Sequence, residues 1–261
     1  MLGRPRLLRE EDIDQDYPQL VNDKQLNPQA VLSRPSRNCL QDAPVFHAKL
    51  ARILARASQD LYPIQLLEKE QETQTIDALM QRINQWRSEL PPLLGDTVCS
   101  SSLISIFQRQ LTVIRLAQFH AVLFVTRPLL LRDCSQESID PTPPFQHHVR
   151  SCIATAHDTL QMVFELAEDN RLFPTFWYTQ YITFNALSIV YIYLVHSKRG
   201  RIPYDWLAAN ASDLERAAIS HATLCKLAQI AQQHLGQVTE INGLAWRYTT
   251  VLEALRIEAA R

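Results

Sequence analysis

The chain has 261 residues, 46% of them hydrophobic and 20% charged, with a formal net charge of −1. That length buries a sizeable core as one large domain or two small ones, and that balance belongs to a soluble globular protein without the basic excess of a polyanion-binding surface. Five glycines against 14 prolines argue against tightly turned sheets and phosphate-cradling loops, and the prolines fall between periodic segments, as punctuation between helices does.

Residues 1–43 show little periodicity. Arg4, Arg6 and Arg9 precede the acidic run Glu10 to Asp16, and Pro18, Pro28 and Pro35 keep the chain extended or turning. The segment reads as an extended strap and loop across a helical body, mobile between about residues 22 and 42. Residues 44–261 read as the helical domain. Pro44 opens a first helix with Phe46, Leu50, Ile53, Leu54, Ala57 and Leu61 on one face, ended by Tyr62-Pro63. A second runs from about Glu68 to Leu90 on the stripe Ile76, Leu79, Met80, Ile83 and Trp86, and Pro91-Pro92 closes it. Residues 93–102 are a loop.

The third helix, about Leu103 to Leu131, is long, mostly apolar and free of glycine. Pro128 should stop or kink it. A proline-rich connection follows. The fourth helix is expected from about His147 to Asn170, with Asn170 as terminator, and the fifth from about Thr175 to Ser197. Trp177 to Val195 carries no charge, which raises the question of a membrane span. Thr179, Gln180, Thr183, Asn185 and Ser188 are too many polar groups for a lone lipid-exposed helix, so a central core helix is expected, capped by Lys198-Arg199-Gly200. A sixth helix spans about Ser212 to Leu235, with Leu214, Ala218, Leu224, Ala228 and Ala231 inward, and Gly236 ends it. Thr239 caps a seventh, which turns Ile241, Leu244, Tyr248, Val251, Leu252 and Leu255 inward. No segment carries a strand signal. The fold class is all-α, an irregular bundle of about seven helices with an N-terminal strap.

Candidate chemistry is sparse. Asp12, Asp14 and Asp16 have the opening spacing of a calcium loop, but Tyr17 stands where that loop needs glycine and Asp23 where it needs a bidentate glutamate. The same acids suit an alternative function, an all-α enzyme of the isoprenoid synthase kind. That site needs a second acidic cluster, and Asn210 to Asp213 is a poor one. His147, His148, Cys152 and His157 are the densest set of metal-type ligands, yet no further ligand completes them. His120 has no nucleophile motif beside it. Arg127, before Pro128, is expected to turn to a neighbouring helix or a ligand, and a structural role is favoured because arginine at a kink caps freed carbonyls. The five cysteines, Cys39, Cys99, Cys134, Cys152 and Cys225, are odd in number and lack a CxxC pair, which fits scattered thiols in a reducing compartment. No secretory signal opens the sequence. Catalytic, cofactor and metal residues are therefore expected to be none.

Several stretches, in order, resemble the fungal-specific transcription factor domain, the regulatory middle region of zinc binuclear cluster regulators. They are Leu2-Gly3-Arg4-Pro5 with Glu11 to Asp14 and Tyr17-Pro18; Lys49 to Leu54 with Leu61-Tyr62; Trp86 to Pro91; Leu116 to Leu131 through Thr126-Arg127-Pro128; Cys152 to Ala156; and Trp177 onward. The resemblance implies a non-enzymatic regulatory or interaction domain acting in RNA polymerase II transcription, in the nucleus. Its partners would be proteins or the missing N-terminal half of the domain, with a small-molecule effector as a further option and no membrane. Family members hold zinc in a six-cysteine N-terminal cluster that this sequence does not contain. No cofactor and no direct nucleic-acid binding are expected of this chain. The family's domain also has further helices before the Gly3-Arg4-Pro5 junction, so the chain resembles its C-terminal part. Apolar surface left exposed by the missing helices is a further expectation.

Overall fold

The α-helical reading holds, and it holds because the apolar spacing repeats every three to four residues between prolines. The computed structural model describes residues 12–21, 26–27, 30–31, 39–65, 67–95, 98–132, 143–171, 177–202, 221–237 and 244–260. Among these residues are seven α-helices: α1 (Asp42–Leu61), α2 (Lys69–Ser88), α3 (Ser105–Arg132), α4 (Pro143–Glu168), α5 (Trp177–Lys198), α6 (His221–Gln237) and α7 (Leu244–Ala260). Each helix packs against the next one, and α1, α3, α4 and α5 also pack against the next but one, from α1 with α2 and α3 through to α5 with α6 and α7. The bundle therefore winds forward along the chain.

The stripes read from the sequence become the core. Leu50, Ala57 and Leu61 of α1, Ile76, Ile83 and Trp86 of α2, and Val149, Cys152, Ile153, Ala156 and Leu160 of α4 are buried. Burial of each large aliphatic side chain stabilises the fold by about 1.5–3 kcal/mol before conformational entropy is counted. The Trp86 Nε1–H donates to the Phe46 carbonyl at 2.9 Å, so α2 is also pinned to α1 by a bond.

Two of the expected helix terminators act through backbone geometry. Asn170 has φ 54° and Gly200 φ 70°. In each case the left-handed residue and its successor donate back to carbonyls of the last turn: Asn170 to Ala167 and Arg171 to Leu166, then Gly200 to Ser197 and Arg201 to His196. This double closure satisfies carbonyls that a helix end otherwise leaves open.

The α5 segment is central, as expected. Ile182, Ala186, Leu187, Val190 and Tyr193 have no exposed surface. Among the described residues, Ser105–Leu131 of α3 is the one helix long and apolar enough to cross a membrane, and 78% of its apolar window is buried inside the fold. Its apolarity is that of a core helix.

Four details differ from the sequence reading. The α3 helix does not stop at Pro128 but runs on to Arg132. The α4 helix begins at Pro143, four residues before His147, because proline is tolerated in a first turn where its missing N–H has no intrahelical partner. Gly236 lies inside α6. Val251 of α7 faces outward, 47% exposed, whereas Leu252 is fully buried. The strap contains a two-residue antiparallel ladder, Leu26 opposite Val31 and Asn27 opposite Ala30. Two 3-10 turns, Pro92–Leu94 and Ser100–Ser102, occupy the loop before α3. The expected early turns of α6 with Leu214 and Ala218, the Thr239 cap with Ile241, Cys134 and most of residues 22–38 lie outside the described residues. Exposed apolar side chains occur at Ile64 after α1, at Ile104, Ile106 and Val113 around the start of α3, at Trp177 opening α5, and at Trp246 and Ile257 on α7.

Candidate functional site

Pro128 has no N–H, so the Phe124 carbonyl one turn earlier loses its helical donor. The Tyr62 hydroxyl, from the end of α1, donates to that carbonyl at 2.8 Å. The same oxygen accepts from Arg127 Nε at 2.9 Å, and an Arg127 terminal nitrogen donates to Asn185 Oδ1 on α5 at 3.1 Å. Asn185 in turn donates from Nδ2 to the Tyr181 carbonyl at 2.8 Å. The Arg127 guanidinium also lies 4.8 Å from the Phe124 ring centre and 5.4 Å from that of Tyr62. Three helices thus meet at one arginine, through directed bonds and cation–π contact. Arg127 turns to a neighbouring helix, as expected, but it does not itself serve the freed carbonyl. Tyr62 takes that role, and Arg127 holds Tyr62. Burial raises the Tyr62 pKa above its ordinary value, and the neighbouring positive charge of Arg127 offsets part of the rise.

Behind this node sits an aromatic cluster. The His120 ring centre lies 5.3 Å from Tyr181, 6.0 Å from Phe124 and 6.2 Å from Tyr178. Burial, assisted by the charge of Arg127, pushes the His120 pKa down to about 4, so the ring is neutral near pH 7. Its Nδ1 has no hydrogen-bond partner. Cys152 is nearby in chemistry but not in role. Burial pushes its thiol up to about 12, only partly offset by a hydrogen bond with Thr126 and by Arg127. A thiol held protonated in the core is not a nucleophile.

The metal-type residues of α4 disperse. His148 Nε2 pairs with Asp77 Oδ1 of α2 at 2.6 Å, and His157 Nδ1 faces Asp158 at 3.2 Å. Cys152 points to Thr126 instead. Among the described residues no three His, Cys, Asp or Glu side chains converge as metal ligands. Asp12, Asp14 and Asp16 lie exposed on the strap, which the hydroxyl of Tyr17 ties to α1 by accepting from Arg52 at 2.9 Å. The acidic site required by the isoprenoid-type alternative thus finds its first carboxylates on the outer surface, and Asn210 to Asp213 falls outside the described residues.

Sequence reasoning missed Tyr62, Asn185 and Asp77 as partners. The orphaned Phe124 carbonyl was deducible from Pro128, but which hydroxyl would reach it depends on how α1 crosses α3. At the far end of the bundle, Gln232 accepts from the Tyr191 hydroxyl and donates to Glu253 at 3.2 Å, and Glu253 is gripped by Arg256 at 2.6 and 2.8 Å. Gln232, Glu253 and Arg256 line a groove of about 670 Å³ between α6 and α7 and satisfy one another there.

The chain is similar to transcription regulators of yeasts. One relative is "Activator of stress genes 1" of Saccharomyces cerevisiae, 25% identical over 199 residues, covering 74% of this chain and 20% of that protein. A putative transcriptional regulatory protein of the same yeast is 23% identical over 223 residues, covering 77% of this chain and 29% of its own length. "Activator of stress genes protein 1" of Candida albicans is 23% identical over 219 residues, 75% of this chain and 22% of that protein. The chain therefore matches between a fifth and a third of the length of these relatives. No family model and no solved structure matches it.

Proposed function

We propose that the chain is a regulatory, non-enzymatic segment of a fungal zinc cluster-type transcription regulator, acting in the nucleus on RNA polymerase II transcription. The observation that carries this reading is similarity over three quarters of the chain to three proteins named as activators or regulators of transcription. The interior supports it. The two groups with the most perturbed acid–base chemistry around α3, His120 and Cys152, are locked in unreactive states by burial rather than poised at a cleft. The net charge of −1 and five dispersed cysteines carry no signature of a base-reading surface within these 261 residues. The partners are proteins or other segments of the same regulator.

A tethering assay tests the reading. The whole chain, fused to a heterologous DNA-binding domain, is expected to change transcription of a reporter carrying that domain's sites. A reporter level equal to that of the DNA-binding domain alone overturns the proposal. Purified chain is expected to show no sequence-specific shift of duplex DNA at physiological salt.

A further inference from the structure

Three helices leave a groove of about 480 Å³ between α2, α3 and α4. Each contributes a stripe at helical spacing: Met80 and Asn84 from α2, Gln118, Phe119 and Val122 from α3, Thr155 and Met162 from α4. The volume lies in the roughly 300–1,000 Å³ range of small-molecule sites and exceeds ten times the approximately 30 Å³ share of a water molecule.

Among the polar groups lining the groove, which include Asn84 and Ser151, two belong to residues that are themselves largely buried. Gln118 is 7% exposed and Thr155 9%. Among the described residues, neither the Gln118 amide nor the Thr155 hydroxyl has a hydrogen-bond partner. Their polar atoms keep contact with water at the groove wall, where an entering molecule can replace that water. The charged residues around the groove are engaged with the chain. Arg115 donates to the Gly95 and Val98 carbonyls at 3.4 and 3.0 Å, Asp158 faces His157, and Glu165 accepts from Gln161 at 3.2 Å. Recognition therefore falls to neutral groups. A carboxamide presents one donor and one acceptor side by side, and its complement is an edge bearing an adjacent N–H and C=O. The thioethers of Met80 and Met162 beside the Phe119 ring favour a flat, polarisable body.

We propose that the groove between α2, α3 and α4 binds an uncharged, planar heterocycle with a lactam edge, held by paired hydrogen bonds to the Gln118 side chain with the Thr155 hydroxyl as a third contact. The site goes beyond the transcriptional reading and is tested without it.

Uracil and hypoxanthine serve as probes, titrated into the purified whole chain and followed by NMR shifts and calorimetry. Saturable binding of at least one, with shifts confined to α2, α3 and α4, is expected. 1,3-Dimethyluracil, which keeps the ring and loses the N–H, is expected to bind about tenfold weaker or not at all. Gln118→Leu is expected to lose binding by about tenfold while leaving Tm nearly unchanged, because the amide faces the groove and makes no hydrogen bond among the described residues. Thr155→Val, nearly isosteric, is expected to weaken binding several-fold and decides the matter should the first variant misfold. No saturation by either probe up to about 1 mM, equal affinity for the dimethyl analogue, or undiminished binding by the variants overturns the assignment. The transcription reporter has no part in this readout, so the regulatory reading and the site fail separately.

Discussion

Two segments of α3, about three turns apart, treat their polar groups in opposite ways. Around Pro128, the carbonyl that proline strips of its donor is recovered by Tyr62, Tyr62 is held by Arg127, and Arg127 reaches Asn185. Around Gln118, 7% exposed, the amide has no hydrogen-bond partner among the described residues and faces the groove. The first arrangement uses polarity to hold three helices in one relation. The second sets polarity against a groove. A buried polar group with partners on three elements fixes architecture, whereas one without them is available to something that enters.

The contrast can be broken most severely from the packed side. Phe124 lies under both Tyr62 and Arg127 and is 1% exposed. Phe124→Ala is expected to lower unfolding free energy by about 3–5 kcal/mol, measured by urea titration. A loss below about 1 kcal/mol would mean that the node collapses onto the cavity without needing the ring.

Acid comes next. His120 has its pKa lowered from 6.5 to about 4 by burial and Arg127. Between those values the unfolded chain binds the proton and the folded chain does not, so stability rises with pH there. Stability is therefore expected to fall as pH drops from about 6.5 towards 4 and to level off below. At 1.36 kcal/mol per pKa unit, the total is on the order of 3 kcal/mol. His120→Phe is expected to flatten this part of the profile relative to the parent chain; parallel profiles would remove His120 as its source.

The Tyr62 hydroxyl is a smaller and sharper target. Tyr62→Phe leaves the Phe124 carbonyl and Arg127 short of a partner and is expected to cost about 1–3 kcal/mol. Pro128→Ala in that background restores a backbone N–H to the same carbonyl and is expected to return part of the loss. A double variant no more stable than Tyr62→Phe alone would show that the hydroxyl was not serving the carbonyl. The smallest effect belongs to the groove. Gln118→Leu is expected to be neutral to within about 1 kcal/mol, read as Tm. A clear loss would reveal a structural partner for the amide and erase the contrast.

The helices were legible because burial imposes a period, and Ile76, Leu79, Ile83 and Trp86 declare it without help from the rest of the chain. The ends at Asn170 and Gly200 were legible because few residues adopt a left-handed conformation cheaply. Pro128 misled in part. Its local preference against helix continuation was outweighed by the burial of Leu129 and Leu130, 3% and 0% exposed, and by the hydroxyl that repairs the ladder. Val251 and Leu252 are adjacent and similar in hydropathy, and only the position of α5 decides which one turns inward. The node was half legible: proline announces an orphaned carbonyl, but Tyr62 reads as a helix end until α1 is placed against α3. The Gln118 groove was not legible at all, since one glutamine on an apolar helix has no pattern.

The packing of helices on their near neighbours along the chain has a consequence for how the molecule is made and pulled apart. As the chain leaves the ribosome, each new helix meets a surface already in place, and no early segment has to wait for the last one to arrive. Traction on the C-terminus runs the sequence backwards. The last helix, α7, packs on α5 and α6 and fully buries Leu252 among its described side chains. It peels away first, and the first four helices keep their mutual contacts after it has gone.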